Sequence, residues 1–173
     1  MDLINKETRD LIDRSVLCWL ATSDESGRPN VSPKEIFRYE GSNRLLIADI
    51  ASPRSVSNII TQPHVCVSLV SIFEEKGVKL IGTATIMSSD HPDFNATART
   101  LIEMAGPEFP IKNAILISIE KAHPIIAPSF YLKPTQSIAD KKAAAYRSYG
   151  VRPISPSSPT KTITPIEITS RKE

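Results

Sequence analysis

Apolar positions along this chain recur at two periods, and the switches between them mark out the elements. Near the start, Leu3, Glu7, Leu11 and Ile12 fall at helical spacing with Asn5 as a natural N-cap, which predicts a short helix. From Ser15 to Thr22 the chain is almost continuously apolar, and the lack of alternation predicts a strand buried on both faces. Ser26-Gly27-Arg28-Pro29 is a turn signal, after which the chain returns as a strand from Asn30 to Phe37. Pro33 removes a ladder donor there, so this strand should be irregular or lie at an edge. A second turn, Glu40-Gly41-Ser42-Asn43, leads into a strand from Arg44 to Asp49.

Between Ser52 and Gln62 the period changes. Ser52 reads as an N-cap, Pro53 suits the first helical position, and Val56, Ile59 and Ile60 make one apolar face. Pro63 ends the helix, and two β-rich runs follow, His64 to Ile72 and Val78 to Met87. A helix is predicted over Pro92 to Ala105 with Gly106-Pro107 as its stop, then a strand from Asn113 to Glu120, irregular chain, and a short helix from Ile138 to Tyr149. About six strands with two or three helices, most strands joined by tight turns, predict a mainly β fold: an antiparallel barrel with helices at its ends. Residues 1–152 form the expected domain. From residue 153 onward Pro153, Pro156, Pro159 and Pro165 sit among Ser, Thr and Lys, which predicts a tail or an arm that orders on another surface.

Charge and composition narrow the partners. The 21 Lys and Arg against 19 Asp and Glu leave a net charge of +2, too small an excess to point to nucleic acid or an anionic membrane. Apolar runs such as Ala114 to Ile119 are far too short to span a bilayer, and the first residues lack the basic start and apolar stretch of a secretory signal, so a cytoplasmic location is expected. Cys18 and Cys66 stand far apart inside apolar strands and read as small buried hydrophobes. His64, His91 and His123 have no neighbours at metal-ligand spacing, and neither a glycine-rich phosphate loop nor a nucleophile elbow occurs.

Two segments carry candidate chemistry. In Asp49-Ile50-Ala51-Ser52-Pro53-Arg54-Ser55-Val56-Ser57-Asn58 a helix N-terminus offers unpaired amides and a positive dipole end, Ser52 and Ser55 add hydroxyls, and Arg54 adds a forked cation suited to phosphate oxygens. In Asn30-Val31-Ser32-Pro33-Lys34 a strand interrupted by proline exposes backbone groups to a planar heteroaromatic ring, with a lysine beside it. Taken alone, the first also reads as a common helix start and the second as an edge strand with a solvated lysine.

In order and spacing, these segments together with Cys18-Trp19-Leu20-Ala21-Thr22, Pro63-His64-Val65-Cys66-Val67 and Gly77-Val78-Lys79-Leu80-Ile81-Gly82-Thr83-Ala84 resemble the pyridoxamine-phosphate-oxidase-like flavin-binding split-barrel superfamily, in its general flavin-nucleotide-binding branch, over about residues 15 to 120. The resemblance implies a six-stranded split barrel forming a homodimer, with flavin mononucleotide (FMN) in clefts between subunits. By position, the ring would lie along Val31 to Ile36, facing Ser32, Pro33 and Lys34. Arg54 and Ser55 would hold the phosphate, with Asp49, Ile50, Ala51, Ser52 and Asn58 alongside. The implied activity is an FMN-dependent oxidoreductase acting on a small molecule. The alternatives are a non-catalytic flavin carrier or sensor, or a barrel of this kind holding deazaflavin or haem. The chain departs from the true oxidases in having Ser55 where their basic cluster continues, Gly77 where a flavin-contacting glutamine stands, and no counterpart after Glu120 of the segment that grips pyridoxamine phosphate.

Overall fold

A computed structural model describes residues 4–132 and 134–153. Along the chain α1 (Lys6–Arg14) precedes β1 (Cys18–Ser23), β2 (Pro29–Lys34), β3 (Phe37–Glu40) and β4 (Arg44–Asp49). There follow α2 (Pro53–Thr61), β5 (His64–Ser71), β6 (Lys76–Ser88), α3 (Phe94–Thr97), α4 (Arg99–Ala105), β7 (Asn113–Ile126), α5 (Ser129–Leu132) and α6 (Ile138–Tyr149). The expected tail lies outside the described residues apart from Pro153, and so does Leu3.

The strands form one antiparallel sheet in the order β2-β1-β5-β6-β7-β4-β3. Leu20 of β1 and Phe37 of β3, from strands near opposite ends of that order, belong to the same buried cluster as Leu45, Val67, Leu80 and Ile117. Only a sheet curled on itself brings those ends to one core, so the architecture is a barrel. No ladder joins β2 to β3, and there the barrel is split. A second cluster lies outside the barrel, where Phe94, Ala98 and Leu101 of the α3–α4 segment cover Leu46 and Ala48 of β4 and Ala114 of β7.

The mainly β barrel is as expected, but the strand number and several boundaries differ. Seven strands are present rather than six, because the predicted strand from Asn30 to Phe37 breaks after Lys34. Its first half pairs with β1 at one edge and its second half with β4 at the other, so the chain crosses the split at Glu35-Ile36. Two-sided burial belongs to β4, which packs the barrel core on one face and α3–α4 on the other. In β1, by contrast, burial alternates and Trp19 is 47% exposed. The helix predicted over Pro92 to Ala105 is interrupted at Ala98. The last strand runs on to Ile126 because β6 continues to pair with it past a bulge at Ile81/Gly82. Backbone crowding explains the glycine at the bulge: a Cβ on Gly82 would lie 2.1 Å from the Ser118 carbonyl oxygen. Gly77 is similarly confined, since a Cβ there would lie 2.2 Å from the Leu69 carbonyl oxygen, so a glutamine side chain would need the β5–β6 ladder to move.

Candidate functional site

The two segments singled out in the sequence come together at the split. β2 is a terminal strand with one side of its main chain free of ladder partners, and α2 starts directly beside it. Along β2 the side chains alternate. Val31 and Pro33 face outward, while Asn30, Ser32 and Lys34 turn toward α2. Ser55 is buried in the first turn of α2, where its hydroxyl meets Ser32 Oγ at 3.0 Å and accepts from Asn30 Nδ2 at 3.2 Å. Thr22 on β1 is the hub behind this contact: its buried Oγ1 accepts from Asn30 Nδ2 at 3.2 Å and from Asn58 Nδ2 at 3.0 Å. α2 is thereby fixed on the barrel by polar contacts that also set the position of β2.

Asp49 organises the other side of the site. Its buried carboxylate accepts from the Ser52 amide at 2.9 Å and from Asn113 Nδ2 at 2.8 Å, while its carbonyl accepts from the Lys112 amide at 2.9 Å. One residue therefore ties the loop before α2 to the start of β7. Lys34, only 6% exposed, donates its ammonium to Ser52 Oγ. Burial pulls the Lys34 pKa below the ordinary lysine value, opposed by the nearby Asp49 and Cys18. Cys18 is a free, buried thiol whose pKa burial pushes up to about 12, which fits an inert core position.

At the helix start the structure corrects one expectation. Ser52 occupies the N-cap position, yet its side chain makes no bond to a helix amide because it is engaged by Lys34. Pro53 has no N–H, so the amides of Arg54 and Ser55 are the first donors of α2 and no side chain caps them. The Arg54 side chain is exposed, near enough to the Asp24 turn to be one of the charges that hold the Asp24 carboxyl low, behind its hydrogen bonds with Ser26 and Arg28. Ile60 is 70% exposed rather than part of the buried face, which is left to Ile59.

Two open clefts flank the loop Ile50-Ala51-Ser52. One, of about 310 Å³, lies between that loop, the β2–β3 crossing from Pro33 to Ile36, Ala48 and the Phe109 ring. The other, of about 340 Å³, lies on the far side against Val56, Ile60 and Lys112. All eleven residues expected from the sequence thus lie on β2, on the end of β4, in the connecting loop or on α2. Their side chains do not all face one space: Ser55 and Asn58 point into the barrel wall, and Val31 points outward. Thr22, Asn113 and Phe109 join the site without having been among the residues expected from the sequence. Thr22 was findable, being a polar residue in phase with buried Cys18 and Leu20. Phe109 carried no signal, since its placement depends on a loop conformation. Among the described residues no three His, Cys, Asp or Glu side chains cluster as a metal site, and no helix is long and apolar enough to cross a membrane.

A split barrel with a helix N-terminus beside its free edge defines a class of fold, and sequence comparison places the chain within it. Residues 4–125 match the pyridoxamine 5'-phosphate oxidase family, and the chain belongs to that family. No curated protein sequence matches it. Similar solved structures include a putative pyridoxamine 5'-phosphate oxidase from Lactobacillus delbrueckii, with 21% identity over 71% of this chain and 95% of that one and a TM-score of 0.60. An FMN-binding protein from Syntrophomonas wolfei has 16% identity over 70% and 86%, with a TM-score of 0.60. The haem storage protein HutZ from Vibrio cholerae has 21% identity over 73% and 95%, with a TM-score of 0.54. At these identities the likeness is one of fold.

Proposed function

We propose that the domain formed by residues 1–152 binds FMN at the split of the barrel, and that the chain acts in the cytoplasm as a flavin-dependent oxidoreductase on a small molecule. The observation that carries this reading is the convergence of three things: the free main-chain edge of β2, the uncapped first turn of α2, and the exposed Arg54 guanidinium. Arg54 would neutralise and orient the phosphate, assisted by the α2 amides and by Ser55 if its hydroxyl turns from Ser32. Val31, Ser32, Pro33 and Lys34 would supply the main-chain wall for the ring, and Asp49 to Ser52 the wall beside the ribityl chain. Asn58 would act one layer back, holding α2 to Thr22. Bound there, the flavin supplies the electron-transfer chemistry, and the protein supplies position, exclusion of water and charge. Lys34, buried beside Ser52, adds positive potential at the edge of the cleft.

The same reading includes a homodimer. Val16, Trp19, Val31, Val70 and Ile72 are large apolar side chains left exposed on or near β1, β2 and β5. Covering this face with a second copy would bury β1 on both sides, as its apolar run suggests. Haem is the second reading, supported by the fold shared with a haem storage protein; its Soret absorbance separates it from flavin.

The test compares FMN with riboflavin. One lost charge-assisted contact to phosphate corresponds to roughly 1.5–3 kcal/mol, about ten- to a hundredfold in affinity. Arg54→Ala should weaken FMN by that factor and leave riboflavin unchanged. Equal effects on both ligands would remove Arg54 from the phosphate site, and absence of flavin binding by the unaltered protein would remove FMN.

A further inference from the structure

Phe109 is a large apolar side chain that the fold leaves 52% exposed, on the connection between α4 and β7. Its ring lines the same cleft as Pro33, Lys34 and Ser52, across from the β2–β3 crossing. The connection is held in place by several features. Gly106 closes α4 with a left-handed φ of +68° and donates to the Ile102 carbonyl at 3.0 Å. The Phe109 amide donates back to Gly106 at 3.4 Å, and prolines at 107 and 110 restrict the backbone on both sides of it. Beyond it, Lys112 donates to the Asp49 carbonyl and accepts from the Ser89 amide, each at 2.9 Å. Through Asp49 the loop bearing Phe109 is thus bonded to the residue that also holds the Ser52 amide.

We propose that Phe109 is a specificity-determining residue, the aromatic wall against which a planar heteroaromatic ring stacks in this cleft. The inference rests on the reading of the cleft as the flavin site and adds to it the residue that selects for the ring itself. About 310 Å³ is near the small end of the roughly 300–1,000 Å³ typical of ligand pockets, room for a single planar ring system in a cleft that both Pro33-Lys34 and Phe109 line. A half-exposed phenyl ring contributes little to the core of the ligand-free chain. Offset stacking on a heteroaromatic face would bury it and add attraction beyond the area covered. Arg54 would then grade ligands by phosphate and Phe109 by ring.

The experiment measures FMN and riboflavin affinity for the full chain, Phe109→Ala and Phe109→Tyr by quenching of flavin fluorescence, with thermal unfolding of the ligand-free proteins alongside. Phe109→Ala should weaken both ligands by the same factor, about three- to tenfold. Phe109→Tyr should restore affinity for both, and neither change should move the ligand-free unfolding midpoint by more than a degree or two. Unchanged affinity for both ligands in Phe109→Ala, with the unaltered chain still binding FMN, would overturn the stacking role and leave the flavin site standing. Loss confined to FMN would also overturn it, because a stacking wall cannot sense a phosphate. An unaltered chain that binds neither ligand would overturn the flavin site and the inference together.

Discussion

Replacing Asp49 should cost stability measurably, because one buried carboxylate holds two walls of the site. Asp49→Ala would leave the Ser52 amide and Asn113 Nδ2 without their acceptor, and Lys34 without its nearby counter-charge. A buried donor left without its acceptor typically costs about 1–3 kcal/mol, so losing two of them together with the attraction to Lys34 should cost about 3–5 kcal/mol. With a urea slope of about 2 kcal/mol per M, the unfolding midpoint should fall by roughly 2 M. Asp49→Asn keeps one acceptor oxygen but turns an amide N–H₂ toward a donor already there, so a smaller loss of about 1–3 kcal/mol is expected. Lys34→Met removes the buried ammonium and leaves the carboxylate with its two hydrogen-bond donors but without the nearby positive charge. In the double variant neither charge is stranded, so its loss should be less than the sum of the two by about 0.5–3 kcal/mol. Urea titrations followed by far-UV circular dichroism give all four values. An Asp49→Ala stability within about 0.5 kcal/mol of the unaltered protein would refute the role of Asp49 as shared acceptor, and strict additivity in the cycle would refute its coupling to Lys34.

Two further outcomes follow from the same geometry. The folded pKa of Lys34 lies below the ordinary value of 10.5, so between those two pH values the unfolded chain binds more protons and stability rises with pH relative to Lys34→Met; a difference between the two midpoints that is flat from pH 7 to pH 10.5 would contradict it. Trp19→Glu places a charge on the exposed apolar face proposed as the dimer interface, and light scattering should report a dimer for the unaltered chain and a monomer for the variant; a dimer in both would place the interface elsewhere.

Most of the fold was readable because periodicity and turn chemistry agree locally. Asn5 accepts from the Thr8 amide as a cap should, and α6 covers the same residues, Ile138 to Tyr149, as its pattern predicts. Reading failed where tertiary pairing decides. Nothing local marks Glu35-Ile36 as the point where a strand changes partners, since both halves are extended and only their neighbours differ. The extension of β7 to Ile126 likewise depends on the length of β6 rather than on its own residues. For the site, the segments were legible as helix-start and edge-strand chemistry, but side-chain direction was not. Ser52 reads as a cap and turns instead to Lys34, because burying that ammonium requires an acceptor close by. Ile60 reads as core and faces solvent, because α2 lies against the barrel along a face that includes Ser55, Asn58 and Ile59.

If the split of this barrel is a flavin nucleotide site, the purified protein should carry that ligand. Absorbance from 350 to 500 nm, followed by mass spectrometry of the small molecule released on denaturation, reads both the class of chromophore and its identity. The expected result is a yellow protein that releases FMN. A colourless protein whose thermal unfolding is unmoved by added FMN, or one that releases haem, would contradict it.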